Sequence, residues 1–224
     1  MKKSIVFMGV FLLLSCSGKV EDAKDATEIV LTELQTKAKA LFGELPDLVN
    51  NPDNPITEDK IILGQSLYFD PILSKNQTQS CNTCHNLSTF GVDNLAVSPG
   101  DAAGTLGARN SPTTFNAALH IAQFWDGRAN SVEEQAGGPI LNPVEMGMPS
   151  EEAALERLRE SEKYQKLFAK AYPGHNVPIS WENLTDAIGA FERVLVTPTR
   201  FDLYIAGDDG ILTDRERSEE HTSE

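Results

Sequence analysis

The sequence predicts an all-α fold that is rich in loops, and three observations support this. Apolar residues recur at helical spacing in several stretches, whereas no stretch alternates apolar and polar residues as a half-buried strand would. The stretches are separated by segments rich in Gly, Ser, Asn and Pro, of which residues 86–114 form the longest. With 224 residues, 40% of them apolar, the chain is long enough for one or two small domains with a core.

Two helices are predicted before residue 71. Residues 20–44 carry apolar side chains at helical spacing, which predicts the first helix. The charged start of this stretch is expected to be a flexible tether. The apolar face predicted for this helix consists of Val30, Leu31, Leu34, Ala38, Leu41 and Phe42. Thr57 is a suitable N-cap for the second helix, which Asp70-Pro71 ends.

Four further helices are predicted after the long loop. Ser131-Val132-Glu133-Glu134 has the pattern of a capping box, with a hydroxyl at the N-cap and an acid three residues later. Ser150 and Ser161 each precede an acidic first turn, which predicts two short helices that end by Pro173-Gly174. The last helix, Trp181–Leu195, has the clearest apolar stripe of the chain.

The N-terminus has the pattern of an export signal. A basic start at Lys2 and Lys3 is followed by an apolar run that is too short to cross a membrane. The run ends at Leu13-Leu14-Ser15-Cys16, which is similar to a bacterial lipobox, so Cys16 is predicted to be lipidated and to anchor the protein to a membrane. The alternative is an ordinary signal peptide that is cleaved a few residues later.

The most informative motif is Cys81-Asn82-Thr83-Cys84-His85, the attachment signature of a c-type haem. Two thiols one helical turn apart can form thioethers with one porphyrin, and the following imidazole can ligate its iron. The alternatives are a redox pair, which favours a βαβ context, or a zinc site, which needs a second pair of ligands. Neither feature is visible in the sequence, so a covalent haem held by Cys81, Cys84 and His85 is predicted. Export agrees with this, because bacteria attach such haems outside the cytoplasm.

The formal net charge of −14 limits the classes of partner. Such an acidic chain is a poor ligand for nucleic acid, whose phosphates favour basic proteins. It suits the docking of a basic electron-donor protein, since opposite potentials speed encounter. Simple solubility is an equally good explanation of the charge.

Five further motifs occur in a fixed order along the chain. They are Leu63-Gly64-Gln65-Ser66-Leu67-Tyr68-Phe69-Asp70-Pro71, Arg109-Asn110-Ser111-Pro112-Thr113, Ala122-Gln123-Phe124-Trp125-Asp126-Gly127-Arg128, Gly138-Pro139-Ile140-Leu141-Asn142-Pro143-Val144-Glu145-Met146 and Ala190-Phe191-Glu192-Arg193. With the haem motif, they resemble the bacterial di-haem cytochrome c peroxidases, a family that includes the MauG-like enzymes. The resemblance covers roughly residues 57–215, and it is to the N-terminal, peroxidatic half, a cytochrome c-like domain.

The resemblance implies roles for two polar residues. Glu145 matches the family's distal glutamate, which moves protons during peroxide cleavage, and burial near a haem would raise its pKa for that task. Gln135 matches a distal hydrogen-bonding glutamine. Without the resemblance, Glu145 would be interpreted as a solvated loop acid and Gln135 as an exposed helix residue.

It also implies roles for an aromatic residue and a metal-site residue. Trp125 matches the tryptophan that lies between the two haems and helps electrons cross; packing beside Phe124 is compatible with that role. Asn110 matches a residue that helps to hold calcium, a cation that prefers oxygen ligands. Met146 and Met148 could serve as sixth ligands of an electron-carrier haem, but Met146 is interpreted as packing because the family has a methionine there.

The chain departs from the family pattern in the loop after the haem motif. Many members carry a histidine there that ligates the resting iron, and Asp101 stands where it would be expected. We predict that the haem iron is not ligated by His120, His175 or His221. We therefore expect the sixth position of the ferric haem to be open or occupied by water at rest.

A second departure concerns the end of the chain. The family continues into another cytochrome c-like domain with a second C-x-x-C-H motif, whereas this chain has one such motif. The expected organisation is a signal over 1–16, a tether and helix over 17–56, the peroxidatic domain over 57–196, and over 197–224 the start of a truncated second domain with a doubtful tail. A natural one-haem protein is the alternative.

Together these features predict an exported haem c peroxidase located in the periplasm. It would reduce hydrogen peroxide with electrons from a donor cytochrome or cupredoxin. The predicted cofactors are one covalent haem here, a second in the full-length protein, and calcium; a homodimer is a further expectation. The alternatives are a one-haem electron carrier and a MauG-like enzyme that modifies a protein partner.

Overall fold

The computed structural model describes residues 30–218, and this part of the chain is all-α, as predicted. It contains nine α-helices and two isolated β-bridges but no β-strand. The helices are α1 Glu33–Phe42, α2 Glu58–Phe69, α3 Cys81–Cys84, α4 Val132–Leu141, α5 Glu151–Glu160, α6 Glu162–Ala171, α7 Trp181–Glu192, α8 Arg200–Ile205 and α9 Asp214–Arg217. Three single 3₁₀ turns are Pro71–Leu73, Leu87–Thr89 and Ala117–Leu119.

Helices α2 and α7 form the most extensive helix pair of the described residues. Their backbones approach closely at Gly64, where an added Cβ would lie 1.8 Å from the carbonyl oxygen of Ala187. Beside this point the ring of Phe191 packs edge-on against Tyr68, with centroids 5.2 Å apart. Glycine is therefore required at this position by the α2–α7 contact.

The main core lies between α2, α4, α5, α6 and α7. Its fully enclosed members include Leu63, Leu67, Ile140, Leu158 and Leu184. The apolar stripe predicted for α7 is thus covered by neighbouring helices of the described chain. The helix ends at Glu192, three residues before the predicted end.

Three of the predicted helix starts have an N-cap hydrogen bond, whereas Ser161 begins α6 without one. The reciprocal bond of the capping box predicted at Ser131 is not formed, because the Glu134 carboxylate accepts from the Asn130 amide instead. The hydroxyl of Thr57 accepts a hydrogen bond from the Lys60 amide, that of Ser131 from Glu134, and that of Ser150 from Ala153. Each satisfies an amide that has no partner inside its helix. A local polar pattern was therefore enough to locate three helix starts.

The apolar face predicted over residues 20–44 is wrong except at Ala38, which is buried as predicted. Val30 is 86% exposed and Leu41 is 78% exposed, whereas Gln35 and Ala38 are buried. The reason is that α1 packs on α8, where the Gln35 amide donates a 2.9 Å hydrogen bond to the Tyr204 carbonyl. The first ten residues of the predicted stretch lie outside the described residues, as does the predicted signal with Cys16.

The long loop predicted over 86–114 is present and contains no α-helix. It runs from the end of α3 along one side of a cavity that is described below. Among the helices within residues 30–218, none combines the length and apolar composition that a membrane span requires.

Candidate functional site

Residues from α3, α4, α7 and the loops between them line a cavity of about 270 Å³. Cys81, Cys84 and His85 line it together with Glu145 and Gln135. Cys81 and Glu145, which are 64 positions apart in sequence, therefore line the same cavity. The tertiary fold brings the haem motif and the two predicted distal residues to the same cavity.

The orientation of His85 is fixed by the loop opposite. Its Nδ1 lies 2.9 Å from the carbonyl oxygen of Pro112, so Nδ1 carries the proton and donates it. This leaves Nε2 as the nitrogen with a free lone pair, the arrangement found in metal-ligating histidines. Burial lowers the pKa of His85 and keeps the imidazole neutral, which iron ligation requires.

The backbone around His85 is also held in place. The Tyr68 hydroxyl of α2 donates a 2.6 Å hydrogen bond to the His85 carbonyl and lies 3.1 Å from the Thr114 hydroxyl. The haem motif is therefore fixed on one side to the α2–α7 core and on the other to the loop.

Glu145 and Gln135 are half-buried on the cavity wall. Gln135 lies on α4, and Glu145 lies in the turn that follows this helix. Burial raises the pKa of the Glu145 carboxyl, although Asn142 and Arg128 act in the opposite direction. The rise moves the pKa of this carboxyl toward neutral pH, which favours its use in proton transfer.

Trp125 lies at the edge of the cavity and is 60% exposed. Its indole N–H donates a 3.0 Å hydrogen bond to the Asn110 carbonyl, which joins two of the predicted site residues. The Asn110 side chain is exposed. No cluster of three or more His, Cys, Asp or Glu residues that could hold a metal ion occurs within residues 30–218, and the calcium site stays a prediction.

Two arginines that also line the cavity share one carboxylate. Asp126 accepts hydrogen bonds from Arg109 at 3.0 Å and from Arg128 at 2.7 Å, which hold its pKa at about 2. The guanidinium carbon of Arg128 lies 3.4 Å from the centroid of the Phe124 ring. These contacts fix two cations beside the cavity.

Asp101, which stands where the family histidine would be expected, does not line the cavity. Its buried carboxylate accepts hydrogen bonds from the Ser74 hydroxyl, the Asn76 amide and the Thr78 amide and hydroxyl. Burial opposes ionisation, but these donors outweigh it and hold the pKa of Asp101 below its ordinary value. Its own amide donates a 2.7 Å hydrogen bond to the Glu145 carbonyl.

Met146 and Met148 are both buried in the main core, which agrees with the interpretation of Met146 as packing. Met146 also reaches the cavity wall. His120 and His175 are exposed, whereas His221 lies outside the described residues. His85 is thus the histidine that lines the cavity in the described part of the chain.

A buried acid in the cavity lining was assigned no role from the sequence. Glu192 ends α7 and lines the cavity although it is 6% exposed. The signal in the sequence was an acid placed one turn after Ile188 on the apolar stripe of a helix. The resemblance included this residue in a motif but attached no role to it.

The residues fit the group that the motif implies. The two thiols line one cavity with an imidazole whose Nε2 is free for a metal, which is the donor set of a c-type haem. Together with the all-α fold, this arrangement defines the class of c-type cytochrome domains.

The chain belongs to the di-haem cytochrome c peroxidase family. The model of that family matches residues 58–210. Its members bind covalent haem c.

Individual relatives agree with this. The chain is 46% identical over 181 residues to a cytochrome c551 peroxidase of Pseudomonas aeruginosa, covering 80% of this chain and 52% of the relative. It is 38% identical to the methylamine utilization protein MauG of Methylorubrum extorquens, covering 93% and 57%. The crystal structure of a MauG-like protein associated with microbial copper homeostasis superimposes with a TM-score of 0.68 at 32% identity, covering 76% and 50%. The chain thus spans about half the length of these relatives.

Proposed function

We propose that this chain is the peroxidatic part of a haem c peroxidase, which reduces hydrogen peroxide to water with electrons from a donor redox protein. The observation that carries the proposal is that Glu145 and Gln135 line the same cavity as Cys81, Cys84 and His85. The reaction needs a redox centre, a proton-transferring group and a site for a small polar substrate, and this cavity contains candidates for all three.

Cys81 and Cys84 would hold the haem covalently, and Nε2 of His85 would ligate its iron. When bound, the haem supplies a redox-active iron at which peroxide can react and to which electrons can be delivered. The Pro112 carbonyl fixes the imidazole orientation through Nδ1.

Glu145 would move the protons of the reaction. Its carboxylate takes a proton from one peroxide oxygen and returns it to the other, so that the leaving oxygen departs as water. The raised pKa of this half-buried group suits the exchange in both directions. Gln135 donates a hydrogen bond that orients the substrate, and it does so without adding charge to the cavity.

Trp125 would carry electrons toward the cavity. Its indole both lines the cavity and is largely exposed, so it joins the surface to the redox site. The formal charge of −14 favours a basic donor such as a small cytochrome or cupredoxin, and encounter would then slow as salt is added.

A second candidate is a MauG-like activity, in which the same centre oxidises a protein partner. The 38% identity to MauG and the superposition on the MauG-like structure support it. A protein-modifying enzyme would consume peroxide only slowly with a small donor protein, and it would alter the mass of its partner.

Export, the lipid anchor on Cys16 and a homodimer remain part of the proposal. Periplasmic location agrees with the apolar N-terminal run and with covalent haem. Cys16 and the rest of this run lie outside the described residues. The resting haem is proposed to have an open or water-occupied sixth position, because the Asp101 carboxylate is engaged with residues 74–78.

The test is peroxide turnover by the full-length haem protein with a reduced donor, after its intact mass has established covalent haem. We predict that Glu145→Gln keeps the haem and its proximal ligation but lowers turnover about 100- to 10,000-fold, the contribution typical of one proton-transferring group. Glu156→Gln, an exposed acid of α5, is the matched control and should turn over peroxide at the normal rate.

Normal turnover by Glu145→Gln would remove Glu145 from the mechanism. A low-spin, six-coordinate haem that is inert to peroxide in the unmodified protein would favour the electron-carrier alternative, with Met146 or Met148 as the ligand to examine.

A further inference from the structure

Glu192 is a second buried acid on the wall of the cavity. It lies one helical turn after Ile188 on α7, and both residues line the cavity. Its exposed fraction is 6%, lower than that of any other carboxylate lining this space. An acid in so enclosed a place requires either a partner or a function.

The carboxylate has no hydrogen-bond donor among the residues that the structure describes. In that same part of the chain, no side-chain oxygen or nitrogen is sealed from solvent without a partner. The Glu192 carboxylate oxygens therefore retain some solvent accessibility, and the space that this residue lines is the cavity. An open edge toward a ligand cavity distinguishes Glu192 from an acid buried for structural reasons.

Several charged or titratable groups surround Glu192. They are Tyr68 from α2, Cys81 from α3, Glu133 from α4 and Arg193 from the end of α7 itself, while His85, Arg109, Arg128 and Glu145 line the same cavity. Arg193 could neutralise Glu192, but its guanidinium donates to both carboxylate oxygens of Glu133 at 2.7 and 2.9 Å. Burial raises the pKa of Glu192 to about 8, and the negative charge of Glu133 adds to the rise.

We propose that Glu192 takes up a proton when the haem held by Cys81 and Cys84 receives an electron. This rests on the proposed function, because it needs haem in the cavity. One electron passes from the donor redox protein to the ferric iron, and one proton passes from solvent to a Glu192 oxygen. An O–H bond forms, no bond to the porphyrin breaks, and the net charge of the buried site stays constant.

The physical reason is electrostatic. An added electron in a poorly solvated cavity raises the cost of a nearby carboxylate charge, and protonation removes that charge. Glu145 is less enclosed and has Asn142 and Arg128 nearby to stabilise its ionised form, so it responds less. Glu192 therefore couples reduction to pH, and its role is to set the potential rather than to touch peroxide.

This coupling predicts a particular pH dependence of the haem potential. If one proton accompanies one electron, the midpoint potential falls with rising pH by up to about 59 mV per unit, the one-electron equivalent of a tenfold change in proton concentration. Glu192→Gln is a neutral isostere that cannot take up the proton. The potential of this variant should be independent of pH over the range in which Glu192 titrates in the unmodified protein. At alkaline pH it should be higher than the potential of the unmodified protein.

The experiment is a spectroelectrochemical titration of the full-length haem protein from mildly acidic to alkaline pH, following the absorption of the haem on Cys81 and Cys84. Glu182→Gln is the matched control, because it removes the same charge from an exposed position on the same helix. It should keep the slope of the unmodified protein. A slope that persists in Glu192→Gln, or a flat potential in the unmodified protein, would overturn the proposal.

A second measurement does not depend on the folding of the variant. Infrared difference spectra between the oxidised and reduced forms of the unmodified protein, recorded above pH 8 where Glu192 is ionised before reduction, should show a protonated carboxyl appearing on reduction. Its absence would contradict the proposal. Intact mass distinguishes failure of the proposed function from failure of this inference. A protein without covalent haem would overturn the proposed function, whereas a haem protein without the coupling would overturn this inference alone.

Discussion

Two buried glutamates on adjacent helices meet opposite surroundings. Glu133 on α4 accepts hydrogen bonds from Arg193, Asn51 and Asn54, and these outweigh its burial and lower its pKa to about 2. Glu192 on α7 has no such donors among the described residues, and its pKa is raised to about 8. We refer to Glu133, Arg193, Asn51 and Asn54 as the buried polar cluster.

The difference separates polar groups that hold the fold from polar groups that are available for chemistry. In the buried polar cluster each charge is neutralised, so the cluster joins residues 49–54 to α4 and α7. On the cavity wall, neither Glu145 nor Glu192 forms an ion pair with another residue of 30–218, and burial raises the pKa of both. The fold thus uses its donors where stability requires them and leaves the cavity acids free to exchange protons.

The strongest test of this comparison breaks the buried polar cluster. Arg193→Met leaves the Glu133 carboxylate buried without its cation, so we expect a loss of about 3–5 kcal/mol in the free energy of unfolding. Lys166→Met, which breaks the exposed pair with Glu162, should cost about 0.5 kcal/mol or less. Denaturant titration measures both, and equal losses would show that the buried cluster is not structural.

A smaller effect is expected at Asp101. Replacement by Ala leaves the donors of Ser74, Asn76 and Thr78 without their acceptor, and we expect a loss of about 1–3 kcal/mol. The haem spectrum at rest should not change, because the carboxylate does not line the cavity.

Asp53→Ala, at an exposed position, is the control and should change stability by about 0.5 kcal/mol or less. An altered resting spectrum in Asp101→Ala would instead place Asp101 near the iron.

The smallest effect is expected when only the pH is changed, one unit at a time. The pKa of Glu133 is lowered from 4.5 to about 2, so its contribution to stability is present above pH 4.5 and is lost as pH falls through about 2. The pKa of Glu192 is raised from 4.5 to about 8, so its contribution is present below pH 4.5 and is lost as pH rises toward 8.

Each group can change the free energy of unfolding by about 1.4 kcal/mol per pH unit at most. Chemical denaturation at a series of pH values should show that Glu192→Gln loses less stability than the unmodified protein between pH 4.5 and 8. Glu133→Gln should lose less between pH 4.5 and 2. Identical curves for Glu192→Gln and the unmodified protein would contradict the raised pKa.

The sequence by itself determined the features that depend on near neighbours in the chain. Thr57, Ser131 and Ser150 were identified as N-caps because a cap needs only its own side chain and an amide three residues away. The haem motif was recognisable because its two thiols and imidazole must lie within five consecutive residues. The resemblance added Glu145, Gln135 and Trp125, whose placement on one cavity wall agrees with the roles proposed for them.

Tertiary structure decided which surroundings each side chain meets. Periodicity placed six apolar residues between 30 and 42 on one face, yet Ala38 is the one of them that is buried, together with Gln35, because α8 packs on that side. It could not show that Asp101 binds residues 74–78, that Arg193 neutralises Glu133, or that Glu192 opens onto the cavity. A helical period fixes which residues share a face, but only packing fixes what that face touches, and the pKa of a buried acid depends on what it touches.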